Sequence, residues 1–156
     1  MTPPTVAFQA LHVERSSGFA LALPVGRALE LFTPEGEKSW AQGWAPEYLH
    51  PADGKLAAGM VFRTRTEGEE TLWVVGRCDR AAGEVEYVRA TPGSRVAVVT
   101  VRCSPLDAGR THVGVRYAFT GLAEAGNAWI AEMDERRYAE LIDSWRAAIE
   151  AMLANQ

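Results

Sequence analysis

Cysteine is scarce in this 156-residue chain: Cys78 and Cys103 are its two, with no CxxC spacing between them. With His12, His50 and His112 scattered far apart, no zinc signature emerges, and neither metal nor cofactor is expected. Long apolar runs are also missing, and none approaches the roughly 18 residues that a membrane span requires. The first residues, Met1-Thr2-Pro3-Pro4, lack the basic and apolar regions of a secretory signal, so a cytoplasmic location is expected. Positive charge does not dominate either. Sixteen Lys and Arg stand against twenty Asp and Glu, and Arg63, Arg65, Arg77, Arg89 and Arg95 are interspersed with acids rather than gathered in a stripe that would grip a phosphate backbone. Nucleic acid is therefore not an expected partner. Among catalytic motifs, the Gly-x-Ser-x-Gly elbow, the phosphate-binding glycine loop, His-Glu-x-x-His and the dinucleotide fingerprint are all absent.

What the chain does have is a globular composition, 47% hydrophobic and 23% charged. Its length fits one ordinary domain, spanning 1–156, that buries about 70% of the surface exposed by its unfolded form. Thr5 to Val13 carries Val6, Phe8, Leu11 and Val13 and reads as a strand, followed by a turn at Ser16-Ser17-Gly18. Val25 to Phe32 fits a short helix opened by Pro24. Glu35 to Gln42 fits a second, with Thr33 as N-cap and Pro34 at its first position, ended by Gly43 and Pro46. His50 to Ala58, with Pro51 and Asp53-Gly54, reads as a loop.

After Gly59 the period changes. Met60 to Thr66, Thr71 to Arg80, Glu84 to Thr91, Arg95 to Cys103 and Thr111 to Leu122 are β-branched and aromatic runs separated by short Gly- and Pro-bearing turns. Connections this short make neighbouring strands antiparallel. Cys78 and Cys103 then fall two strands apart, about 9 to 10 Å, too far for a disulfide. From Asn127 to Leu153 one long helix is predicted, with Ile130, Met133, Leu141, Trp145, Ala148 and Met152 on its apolar side.

The economical packing of these elements is an α+β helix-grip fold. A curved antiparallel sheet of about six strands wraps the long C-terminal helix, and two short helices after the first strand close one end. Such a sheet does not close fully around a helix, and the gap is a pocket.

Thr33-Pro34-Glu35-Gly36-Glu37, Trp40, Gly43-Trp44, Gly59-Met60-Val61-Phe62, Val115-x-Tyr117 and Thr120-Gly121-Leu122 together resemble the SRPBCC or START-like superfamily. The resemblance covers nearly the whole chain and is nearest to a bacterial branch related in fold to polyketide cyclases and Bet v 1. It implies a central cavity. Members bind lipids, sterols, polyketides or hormones there; some are cyclases, some are oxygenase subunits, and an Aha1-like branch assists a chaperone.

Strand alternation nominates the lining. Val113, Val115, Tyr117 and Phe119 share the inward face of the last strand, with His112 and Arg116 outside. Phe62 with Met60 and Thr64, and Tyr87 with Val85 and Arg89, are the inward sets of two others; Arg89 can instead snorkel to water from its strand end. Trp73 competes with Leu72 for the inward face, and the cost of exposing tryptophan favours Trp73. Trp40 and Trp44, with Tyr48 beyond, lie where the resemblance places the opening of the pocket. Trp145 reads as core. Asp134 and Arg137 plot near the pocket mouth or form an i,i+3 pair at the surface. Tyr138, on the edge of the same sector, is placed to orient a ligand's carbonyl.

The expected function is binding of an apolar or aromatic small molecule, lipid-like or polyketide-like, by a monomer or homodimer. The alternatives are a cyclase or dehydratase using the same cavity, which needs two or more titratable groups converging in it, and an Aha1-like interaction protein. The last requires an exposed apolar patch, for which Trp44, Tyr48 and Trp129 are candidates.

Overall fold

A computed structural model describes residues 7–156. Its elements in order are β1 (His12–Leu21), α1 (Val25–Glu30), α2 (Pro34–Glu37), β2 (Glu47–His50), β3 (Val61–Thr66), β4 (Glu69–Asp79), β5 (Glu84–Thr91), β6 (Arg95–Asp107), β7 (Arg110–Gly121), α3 (Glu124–Glu132) and α4 (Glu135–Ala154). The strands form a seven-stranded antiparallel sheet in the order β1-β7-β6-β5-β4-β3-β2. β3 to β7 are the expected meander. β1 pairs with β7, so the first strand completes the sheet beside the last. α4 lies against β1 in the grip of the sheet. No helix among the described residues is long and apolar enough to cross a membrane.

Four features depart from the sequence reading. The first strand starts at His12 and runs through Ser16-Ser17-Gly18, which pair with Arg116, Val115 and Gly114 of β7; the turn-like residues stay in the ladder because Phe19 and Leu21 beyond them are buried. Ahead of it, Asn127 holds the chain from α3, accepting from the Leu11 N–H at 2.9 Å and donating to the Gln9 carbonyl at 2.9 Å. Thr5 and Val6 of the predicted strand lie outside the described residues. The sheet has a seventh strand, β2, four residues at its edge paired to β3. α2 is also shorter than expected. The Thr33 hydroxyl caps it, accepting from the Gly36 N–H at 3.0 Å, but beyond Glu37 the chain tightens into turns whose N–H groups reach back three residues.

The C-terminal helix is two helices. Asp134 interrupts it as the N-cap of α4, accepting from the Arg137 backbone N–H at 2.8 Å, which settles the relation between those two residues at the surface. On α4 the buried stripe is Tyr138, Ile142 and Ile149, turned by about one position from the expected one. Leu141, Trp145 and Ala148 form the adjoining stripe, and that one faces the cavity. Burying each aliphatic side chain of the inner stripe contributes about 1.5 to 3 kcal/mol. Cys78 and Cys103 are both free thiols, on the fourth and sixth strands, and burial pushes the Cys103 thiol up to about 12.

Candidate functional site: an aromatic cavity with one carboxyl and one guanidinium

Between the concave face of the sheet and the helices lies a cavity of about 590 Å³, within the range of small-molecule sites. Its floor is sheet. Register places Phe62, Trp73, Arg89, Ala97 and Phe119 side by side across β3, β4, β5, β6 and β7. All five share the inward face, and Ala97 leaves room beside Arg89. Tyr87, Val99 and Tyr117 form the next row. The roof is Phe32, Glu37 and Trp40 with the 41–44 segment, and α4 supplies one wall through Leu141, Trp145 and Ala148. Glu67 and Glu69, both exposed, stand at the rim.

Gly36 lets the roof come down. A Cβ at this position would stand 1.8 Å from the Glu30 carbonyl oxygen, so only glycine permits α1 and α2 to approach this closely. That contact aims Glu37 and Trp40 at the floor rather than at solvent.

The aromatic rings are braced against one another. Phe62 and Trp73 stack at 5.5 Å, and Trp44 meets Trp73 edge-on at 5.5 Å. Tyr87 stands edge-on to Phe62 and to Trp73, at 6.4 and 6.1 Å. Across the cavity Trp40 packs on Phe32 and Trp145, and Trp145 on Tyr117. The polar tips of four of these rings are bonded within the protein. Trp40 donates to the Leu31 carbonyl at 2.7 Å, Trp44 to the Pro34 carbonyl at 2.8 Å, Trp73 to the Thr64 hydroxyl at 3.0 Å and Tyr87 to the Phe32 carbonyl at 2.6 Å. These bonds fix the rings and leave their apolar surfaces facing the cavity.

Two groups of opposite character remain. The Arg89 guanidinium lies 4.5 Å from the centre of the Trp73 ring, and no carboxylate stands within ion-pairing distance of it among the described residues. Glu37 hangs from the roof. Its surface is half-buried because one side borders the cavity space, yet the carboxyl lies deep enough that burial pushes its pKa up to about 8, against the opposing pull of Arg89. Burial also raises the Tyr117 and Tyr87 phenols; Arg89 opposes the rise at Tyr117, and Glu37 adds to it at Tyr87. Glu69, at the rim, is held by Arg95 through two contacts of 3.1 and 3.2 Å, which keeps it ionised.

Of the side chains that the sequence nominated, Trp40, Trp44, Phe62, Trp73, Tyr87, Arg89 and Tyr117 line the cavity. Three do not. Tyr48 packs against the outer flank of Phe62 at 6.4 Å and donates its hydroxyl to Glu35. Val115 is buried in the core one row further along β7. Tyr138 is buried with its hydroxyl donating to the Val115 carbonyl at 2.7 Å, so its phenol serves the fold rather than a ligand. Trp145 does line the cavity, against the expectation of a core residue. Glu37 was not nominated. On a short polar helix beside Glu35 and Lys38 it reads as solvated, and the one signal was its place within Thr33-Pro34-Glu35-Gly36-Glu37, whose glycine marks a close approach. Trp44, Tyr48 and Trp129 form no exposed apolar patch: each is half-buried, and Trp129 packs on Phe119 beneath the Arg95 guanidinium, 3.7 Å from its ring centre.

No family model matches the chain, and no curated protein matches it. Solved structures do. It is similar to norcoclaurine synthase from Thalictrum flavum, in complex with dopamine and hydroxybenzaldehyde, at 10% identity and a TM-score of 0.65 over 97% of this chain and 98% of that one. It is similar to Zhui aromatase/cyclase from Streptomyces sp. R1128 at 18% identity and a TM-score of 0.63, over 93% and 96%. Ara h 8.0201 matches at 14% identity and a TM-score of 0.65, over 94% and 99%.

Proposed function

We propose that this chain, whose fold is the Bet v 1-like helix grip of the START-like (SRPBCC) superfamily, binds an apolar, aromatic small molecule in the cavity between its sheet and α4. The observation that carries this reading is the lining itself. Braced aromatic rings present their apolar surfaces to about 590 Å³ of space while the N–H and O–H groups of Trp40, Trp44, Trp73 and Tyr87 are bonded elsewhere. A surface of this kind loses water to a planar apolar guest with little reordering of its own side chains, which is what preorganised binding requires. The solved neighbours support the reading by fold: one of them holds dopamine and hydroxybenzaldehyde, and another is an aromatase/cyclase. The protein is taken to act in the cytoplasm, as a monomer or homodimer.

Native mass spectrometry of the protein purified from its own host tests the reading. The expected result is a reproducible adduct, lost on denaturation, whose mass names the ligand. A bare chain that also fails to quench its cavity tryptophans with any aromatic probe overturns it.

A second reading, a cyclase- or dehydratase-type enzyme, is favoured by the convergence of Glu37 and Arg89 on one apolar space. A carboxyl whose pKa lies near neutrality can pass a proton, and a guanidinium opposite can steady the oxygen on which charge develops. Under this reading Glu37→Gln retains binding of the native ligand and loses its turnover; a variant that turns the ligand over at the wild-type rate removes the enzyme reading and leaves the binding one.

A further inference from the structure

The geometry points to a ligand that carries an anionic oxygen group on its aromatic body, seated on the Arg89 guanidinium, with the Glu37 carboxyl donating a hydrogen bond to the same group from the roof. This ligand class rests on the cavity-binding reading and narrows it.

Arg89 is half-buried, and a guanidinium so placed normally has a carboxylate partner. Around this one, each candidate partner is committed elsewhere or held apart. Glu69 at the rim carries a two-pronged contact with Arg95. Glu67, on the hairpin between β3 and β4, is exposed. From β5 and β7 the neighbours are the phenols of Tyr87 and Tyr117; burial keeps both protonated, so the hydrogen bond between Tyr117 and Arg89 brings the guanidinium no negative charge. From α4 the polar residue in the lining is Ser144, whose hydroxyl donates to the Leu141 carbonyl of its own helix. Glu37 is the remaining acid, and it forms no ion pair with Arg89; the guanidinium's pull on it falls short of offsetting burial. At neutral pH the cavity thus holds one cation beside a protonated carboxyl, with aromatic faces around them.

That is a receptor for an anion. A neutral aromatic guest would satisfy the rings and leave the guanidinium with the neutral Tyr117 phenol and the Trp73 face but no counter-charge in an apolar space, at a cost. A carboxylate or sulfonate accepts from Arg89 and from the Glu37 O–H together, two hydrogen bonds that are both charge-assisted because the acceptor is ionised. Trp73 beneath the guanidinium fixes where that charge sits. Glu37 also makes the site responsive to pH. Once it ionises, a second negative charge faces the ligand's own, and affinity for anions falls while affinity for neutral guests does not.

A matched pair of fluorescent probes tests this: 8-anilinonaphthalene-1-sulfonate, ionised at every working pH, and N-phenyl-1-naphthylamine, the same body without the sulfonate. The expected result at neutral pH is a preference for the sulfonate of about ten- to a hundredfold, the yield of a charge-assisted bond. In Arg89→Met that preference disappears while the neutral probe still binds; Arg89→Lys, which keeps the charge, restores part of it. In the wild type the preference declines as pH rises through about 8, and in Glu37→Gln it does not. Equal affinity of the wild type for both probes, or a preference that survives Arg89→Met, overturns the anionic ligand and leaves the cavity reading standing. Failure of both probes to enter overturns the cavity reading, and the ligand class with it.

Discussion

Arg89 and Trp73 are direct register partners on neighbouring strands, and the guanidinium of the first rests 4.5 Å from the ring centre of the second. The indole in turn stacks on Phe62 and donates to Thr64. Trp73 therefore works both as core and as the seat of the cavity's cation. Trp73→Ala is expected to cost about 3 to 5 kcal/mol of stability in urea denaturation, the usual range for a buried tryptophan. Trp73→Phe keeps a ring face under Arg89 and gives up one hydrogen bond, at about 1 kcal/mol. If the ring positions the charge, the Phe variant keeps most of its preference for the anionic probe. An Ala variant that keeps the preference equally well would show that Arg89 needs no seat.

Glu37 makes stability depend on pH with a definite sign. Its folded pKa, about 8, lies above the ordinary 4.5, so between those values the folded chain holds a proton that the unfolded chain releases. Its contribution is fully present below about 4.5 and is lost as pH rises through about 8. The loss is at most about 1.4 kcal/mol per pH unit across that window. Glu37→Gln removes the dependence. Urea midpoints of variant and wild type are expected to converge at acid pH, with the variant the more stable at about pH 9; equal midpoints at both would mean that the carboxyl is solvated.

Gly36→Ala tests whether the roof is set by the close approach of α1 and α2. The added Cβ would meet the Glu30 carbonyl oxygen at 1.8 Å, a backbone atom that cannot swing aside. The helices must separate, at an expected 1 to 3 kcal/mol, roughly the range for backbone strain of this kind. Glu37 and Trp40 move with α2, so probe uptake falls as well. A variant with wild-type midpoint and uptake would place the roof's position elsewhere.

The meander was legible because its signals are local: alternation decides which side chains face in, and Gly-Pro punctuation decides where strands turn. That logic put Arg89, two residues beyond Tyr87 on the same strand, on the inward face while leaving open that it snorkels to water from the strand end. The edge strand β2 did not, since Glu47-Tyr48-Leu49-His50 is too short and too polar to show a period and is a strand because β3 pairs with it. The break at Asp134 hid for a different reason. Its capping carboxylate is also an acceptable helix-surface residue, and only the geometry of Arg137 tells the two apart. Glu37 is the costliest omission. Nothing local separates a solvated glutamate on a short helix from one that packing folds over a cavity.

Tyr138 separates fold from site most cleanly. The sequence placed its phenol at the cavity; the structure buries it between α4 and the sheet, bonded to the Val115 carbonyl at 2.7 Å, and burial holds its pKa above the ordinary phenol value. Tyr138→Phe deletes that bond and keeps the ring, which meets Tyr117 edge-on at 5.8 Å. The expected cost is about 1 kcal/mol, or somewhat more because the carbonyl loses a buried donor. Affinity for the aromatic probes, by contrast, should be unchanged, since neither ring nor hydroxyl borders the cavity. Denaturation and probe titration on the same sample check both halves. A loss of probe binding larger than the loss of stability would return Tyr138 to the site, and would mean that the cavity extends past Tyr117 toward the first turn of α4.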